Sequence, residues 1–148
     1  MILKKSSVFP ASKDRVFEKL QKLETLQVIA KPYATFDPIE AAESVWKADT
    51  TTAYRLRLFG VIPFGTHRIH IVRFDPDGVS SHEKNEHVPV WNHDITIFPL
   101  DENHTEYTDK IEIRAGWKTP FIWFWANAFY AHRQRKWIHL LKEGRQSK

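Results

Sequence analysis

"TPFIWFWANAFYAHRQRKWIHLL" occupies Thr119 to Leu141 of a 148-residue chain, and the fold turns on what this segment is. Its first half is aromatic on every side and its second half is basic, which leaves three readings: a membrane span, the cover of a core, or the wall of a pocket. A span needs about 20 mainly apolar residues. The apolar run from Phe121 to Ala131 already contains Asn127 and is followed by His132, Arg133, Arg135 and Lys136, so it is too short to cross. A helix of about 24 residues is predicted instead. Thr119 offers an N-cap, Pro120 suits the first helical position, and Gly144 supplies a stop after Glu143. At about 100° per residue, Ile122, Ala126, Phe129, Tyr130, Arg133, Trp137 and Leu140 share one face, with Trp123 and Leu141 at its margins. That stripe is expected to face the protein body. Phe121 and Phe124 project the other way, and a loop, a partner subunit or a lipid surface is needed to cover them.

Working outward, MILKKSSVF reads as a first strand, and "PASKDRVFEKLQKLETLQVIAKP" follows it with Ser12 as a helix cap. Val16, Phe17, Leu20 and Leu23 recur at helical spacing and Pro32 closes the segment, giving one short helix or two in succession. The period then changes to alternation. Strands are expected at 42–48, 51–59, 66–74, 79–86, 90–98 and 105–114, with turn signals at FGVIPFG, DPDG and PLDEN. Consecutive strands at short spacing argue for an antiparallel sheet, and the only element large enough to cover its apolar face is the last helix. The expected class is therefore α+β: a helix-grip fold, with a curved antiparallel sheet of six or seven strands wrapped around a long C-terminal helix and two short helices near the N-terminus.

Composition bounds the function. The length fits one domain, residues 1–148, with disorder confined to the last few residues. The chain has no cysteine, which excludes disulfides, a thiol nucleophile and cysteine-ligated metal, and fits a reducing cytoplasm. The opening residues lack the continuous apolar region of a secretory signal, so a cytoplasmic location is expected. The net charge of +4 is concentrated at the end, where Arg133, Arg135, Lys136, Lys142, Arg145 and Lys148 face Glu143 alone. A solvated basic end is the expectation, ahead of binding to nucleic acid or to an anionic membrane surface.

Three stretches, "SSVFPASKDRVFEKLQKLETL", "HVPVWNHDITIFPLDENHTEYTDKIEIRAG" and "FYAHRQRKWIHLL", resemble the START-like, or Bet v 1-like, superfamily, which includes polyketide cyclases and lipid- or hormone-binding proteins. The resemblance covers nearly the whole chain and is similar above all to small bacterial stand-alone ligand-binding domains. It implies a pocket for a hydrophobic small molecule (a lipid, polyketide or aromatic metabolite) between sheet and helix. It carries no universal catalytic motif.

Strand alternation names the inward residues. Trp91, His93, Ile95 and Ile97 share the more apolar face of their strand, as do Tyr107, Asp109, Ile111 and Ile113 of the next, while Tyr54, Leu56 and Leu58 alternate with Arg55 and Arg57. The expected ligand-binding set is Tyr54, Leu56, Trp91, His93, Ile95, Tyr107, Asp109, Trp123, Phe129, Tyr130 and Arg133. Three of these are ionisable, and each needs a partner or a wet cavity. Asp109 either pairs with Arg133 or His93 as a structural bridge, or the three supply the few polar contacts of the pocket, or the registers slip by one residue and turn them outward. If the pocket is catalytic in the manner of a cyclase or dehydratase, His93 and Asp109 are the acid/base candidates.

Other signals carry less. His67 and His70, three apart on a strand, point to opposite faces, and HEKNEH lacks the helical HExxH spacing, so no metal site is expected. Glu83 and Glu86 likewise read as solvated edge charges. No GxGxxG, GxxxxGK[ST] or GxSxG occurs, and no cofactor is expected. Trp137 of HRQRKW belongs to the core-facing stripe rather than to a base-stacking surface. An interaction module using Phe121, Phe124 and the basic end, homodimerisation included, is the third functional alternative.

Overall fold

The computed structural model describes residues 1–39 and 45–146, with side chains described as far as Glu143. The elements run β1 (Ile2–Phe9), α1 (Lys13–Leu20), α2 (Leu23–Ala30), β2 (Ala34–Pro38), β3 (Thr51–Leu58), β4 (Ile62–Asp75), β5 (Gly78–Asn85), β6 (Val90–Asp101) and β7 (His104–Arg114). A single 3-10 turn, Gly116–Lys118, then leads into α3 (Thr119–Gln146). The strands form one curved antiparallel sheet in the order β1-β7-β6-β5-β4-β3-β2. From β2 to β7 each strand is hydrogen-bonded to the next, and only the connection carrying α1 and α2 crosses from one edge to the other. Helix α3 packs on α2, β1 and β7, so the chain has the α+β helix-grip arrangement.

Local chemistry explains the boundaries. Ser12 caps α1, its hydroxyl accepting from the Arg15 amide at 3.3 Å, and Val16 and Leu20 one turn apart are buried. The DPDG turn closes the β4–β5 hairpin: the Asp75 carboxylate accepts the Asp77 amide at 2.8 Å, and Gly78 follows at φ +153°. A Cβ at Gly78 would lie 1.9 Å from the Ile95 carbonyl oxygen, so the close approach of β5 to β6 requires glycine there.

Three boundaries differ from expectation. The second strand is β2 at 34–38, and of the strand expected at 42–48 the described part, 45–48, joins no ladder. Residues 40–44 lie outside the described residues, while Val45 makes one isolated bridge to Lys22 and the Trp46 amide donates to Gln21 O at 2.8 Å. Val45 and Trp46, strand-forming types, pair with the link between α1 and α2 rather than with a strand, whereas the short ATFDP segment pairs on one side only, where its proline is tolerated at an edge. Thr119 is already helical, and its hydroxyl accepts the Ala115 amide and donates to Gly116 O, both at 2.8 Å. It closes the preceding turn rather than capping α3. Gly144 does not stop α3, which continues to Gln146; a lone glycine weakens a helix by about 1 kcal/mol without breaking its hydrogen bonds. The terminal residues expected to be disordered fall outside the described residues from 147 onward.

The buried stripe of α3 comprises Ala126, Phe129, Tyr130, Arg133, Gln134, Trp137 and Leu141. Leu141 takes the buried place expected of Leu140. Phe121 and Phe124 are 70% and 68% exposed, so no loop among the described residues covers them.

Candidate ligand-binding cavity

The concave face of the sheet and α3 enclose a partly open cavity of about 80 Å³. Its floor comes from β4, β5 and β6 (Ile69, Ile71, Val79, Trp91, Ile95), one side from α1 and α2 (Leu20, Leu26, Ile29), and its roof from Trp125, Phe129, Tyr130 and Trp137 of α3. The alternation read from the sequence explains the floor, since floor residues on one strand lie two or four apart and point the same way.

Among the expected ligand-binding residues, Leu56, Trp91, His93, Ile95, Phe129, Tyr130 and Arg133 border the cavity. Tyr54, Tyr107 and Asp109 are buried but do not border it. Tyr54 packs edge-on against Phe36, and Tyr107 stacks on Phe9 with centroids 4.5 Å apart. Trp123 also lies elsewhere: its indole N–H donates to Ile2 O at 3.1 Å, because the first turns of α3 pass over the edge strand β1. Conversely, Phe36, Trp46, His67, Ser81, Glu83 and Trp125 border the cavity although the sequence did not name them as ligand-binding. Alternation does carry a signal for His67, which is in phase with Ile69 and Ile71, and for Glu83, in phase with Val79 and Ser81.

Glu83 is not a solvated edge charge. Its side chain is 10% exposed and lies between two histidines, with Oε1 2.7 Å from His67 Nε2 and Oε2 3.6 Å from His93 Nδ1, while Ser81 donates to Oε2 at 2.8 Å. His93 Nε2 in turn lies 2.7 Å from Asp109 Oδ1, and Gln134 of α3 donates to Asp109 Oδ2 at 3.0 Å. The register explains the chain of contacts. Cα partners are 67↔85 and 69↔83 between β4 and β5, 81↔93 and 83↔91 between β5 and β6, and 93↔111 and 95↔109 between β6 and β7. His67, Glu83, His93 and Asp109 are therefore successive diagonal neighbours across four adjacent strands, within reach of long side chains.

Burial disfavours charge on His93, yet the hydrogen bonds and charges of Asp109 and Glu83 outweigh it and raise its pKa above the ordinary histidine value. Burial acts on Asp109 and Glu83 in the opposite sense, raising their pKa values. Their histidine contacts prevail, and both carboxyls are held below the usual range. The arrangement favours the protonated form of His93 between two carboxylates. Both ring nitrogens of His93 are turned toward carboxylates, which leaves neither facing the cavity as a free base.

Arg133 is 6% exposed, and its guanidinium lies 5.1 Å from the Tyr130 ring centroid and 5.6 Å from that of Phe129. It forms no hydrogen bond or ion pair among the described residues, and its buried Nε has no partner. His67 Nδ1, Trp125 Nε1 and Trp137 Nε1 are also buried and unpartnered, and all four residues line the cavity. Among the described residues, no group of three or more His, Asp or Glu side chains is placed to hold a metal ion, and no helix is long and apolar enough to cross a membrane.

A curved sheet gripping a C-terminal helix around an aromatic cavity is a helix-grip fold. Solved structures agree at the level of fold. A Chromobacterium violaceum protein superposes with TM-score 0.75 at 12% identity, covering 95% of this chain and 96% of that one. A START superfamily protein from Mycobacterium smegmatis gives 0.72 at 12% identity, with 96% and 97% covered. The Zhui aromatase/cyclase from a Streptomyces species gives 0.63 at 16% identity, with 99% and 94% covered. Within this class, residues 7–140 match the family described as a domain of unknown function, DUF8410, and the chain belongs to it. No curated protein matches the chain.

Proposed function

We propose that this protein binds a small hydrophobic molecule between the sheet and α3. The carrying observation is the cavity itself: walls of Ile, Leu, Val, Phe and Trp, with a few polar groups from His67, Ser81, Glu83, His93 and Arg133. Such a mixture of apolar wall and sparse polar anchors suits a ligand site. The fold neighbours support it, since one is described as an aromatase/cyclase and another as a START superfamily protein. Size narrows the class. About 80 Å³ is roughly half of the 150 Å³ that admits benzene in an engineered apolar cavity, so even a single ring requires the walls to move apart. A long acyl chain needs α3 to shift. An aromatic metabolite is thus favoured over an extended lipid.

Solvent extraction of the purified protein followed by mass spectrometry tests the proposal. An aromatic small molecule present in molar proportion to protein is the expected result. If none is found, and wild type and the cavity-filling Ile71→Trp respond identically to added toluene in NMR spectra, the proposal fails. Turnover by a cyclase- or dehydratase-like route has less support, because the engagement of both His93 nitrogens leaves that side chain without an accepting lone pair toward a ligand. A second reading, association through the start of α3, is favoured by the exposure of Trp117 (80%), Phe121 and Phe124. Sedimentation of wild type against Phe124→Asp tests it: self-association lost in the variant supports the surface, and a monomer at all concentrations excludes a homodimer.

A further inference from the structure

One buried cation in the cavity lacks a hydrogen-bond acceptor. Arg133 is removed from water and lies against two aromatic faces, and although the nearby charges of Asp109 and Glu83 favour its cation against burial, no acceptor is hydrogen-bonded to it among the described residues. The two buried carboxylates that could pair with it are already engaged. Glu83 receives His67 on Oε1 and Ser81 on Oε2, and Asp109 receives His93 on Oδ1 and Gln134 on Oδ2. Neither makes an ion pair with Arg133, which is left in their field with its hydrogen-bonding capacity unused. A buried guanidinium with open N–H groups is costly unless something supplies acceptors. In the same wall, the indole N–H groups of Trp125 and Trp137 are also buried donors without acceptors. The shortage in this cavity is of acceptors beside a fixed positive charge.

We propose that the occupant is a compact aromatic carboxylic acid, bound as its anion, with the carboxylate on the Arg133 guanidinium and the ring between the indoles of α3 and the apolar floor of β4 to β6. This rests on the reading of the cavity as a ligand site and names the chemistry of its ligand. The planar fork of arginine matches a carboxylate through two parallel N–H donations, and the aromatic faces of Phe129 and Tyr130 hold the guanidinium while leaving its edge free. The cavity volume limits the ligand to about one ring.

Benzoate, benzamide and toluene share one ring and nearly one shape, and differ in charge and polarity. Their binding to the full chain at neutral pH is measured by NMR titration and calorimetry. Benzoate is expected to bind at least tenfold more tightly than benzamide, and Arg133→Met is expected to bring the two to equal affinity. Arg133→Lys, which retains the charge without the fork, is expected to keep a reduced preference. Binding of toluene and benzamide with no preference for benzoate in the wild type overturns the anionic assignment while leaving the cavity a ligand site. Absence of binding by all three overturns both. The wild-type comparison requires no variant, so a misfolded Arg133→Met leaves the result decisive.

Discussion

His93 shows how burial and pairing compete within one side chain. Burial alone would favour its neutral form, but Asp109 at 2.7 Å and Glu83 at 3.6 Å shift the balance toward the charged one. Its pKa is raised in the folded state, so its stabilising contribution is complete below the unfolded value of about 6.5 and is lost as pH rises through the folded value. Asp109 and Glu83 are depressed, so theirs is complete above about pH 4 and lost as pH falls through their folded values. The cluster as a whole therefore stabilises most between about pH 4 and 6.5. Urea denaturation across pH is expected to show stability declining on the alkaline side, with a flatter decline in His93→Gln; identical slopes for the two proteins would contradict a charged His93. Asp109→Asn breaks a buried pair and is expected to cost about 3–5 kcal/mol. It should also lower the His93 pKa in an imidazole NMR titration.

At the scale of elements, the two faces of α3 make opposite demands. Phe129 is buried and stacks on Trp125 with centroids 4.7 Å apart, so Phe129→Ala is expected to cost about 3–5 kcal/mol in chemical denaturation. Phe124 is exposed, and Phe124→Ala should change stability by no more than about 0.5 kcal/mol. A comparable loss at both positions would mean that the aromatic start of the helix is covered in solution. The β4–β5 hairpin depends on one atom's absence. Gly78→Ala pushes a methyl group into the Ile95 carbonyl, a backbone group that cannot swing aside as a flexible side chain could, and at least about 1–3 kcal/mol should be lost. An unchanged denaturation midpoint would show that β5 can move away from β6.

For the whole molecule, the consequence of a cavity is linkage between ligand and fold. A ligand that binds only the folded chain adds about 2.7 kcal/mol of stability at a hundred times its Kd. Benzoate is therefore expected to raise the melting temperature of the wild type in proportion to the logarithm of its concentration. Ile71→Trp, which fills the floor of the cavity, should melt at a temperature independent of benzoate. A benzoate response preserved in that variant would place the binding elsewhere on the molecule.

The class of fold was legible in the chain because period maps onto burial. The alternation of Trp91, His93, Ile95 and Ile97, and of Tyr107, Asp109, Ile111 and Ile113, named inner faces that the structure buries, and the spacing of Phe129, Tyr130, Arg133 and Trp137 named the inner face of α3. Periodicity says which side a residue points to, but not which residue of a neighbouring strand it meets. The pairing of His93 with Asp109 and Glu83 depends on register across β5, β6 and β7, set by contacts between residues far apart in sequence. Glu83 read as solvent-facing for that reason: its neighbours along the chain are polar, and the histidines that hold it arrive from other strands. The place of β2 and the freedom of Arg133 have the same origin. Composition and spacing fixed the faces of the elements, while only their packing settled which buried charges meet and which of them, Arg133, has no hydrogen-bond partner among the described residues.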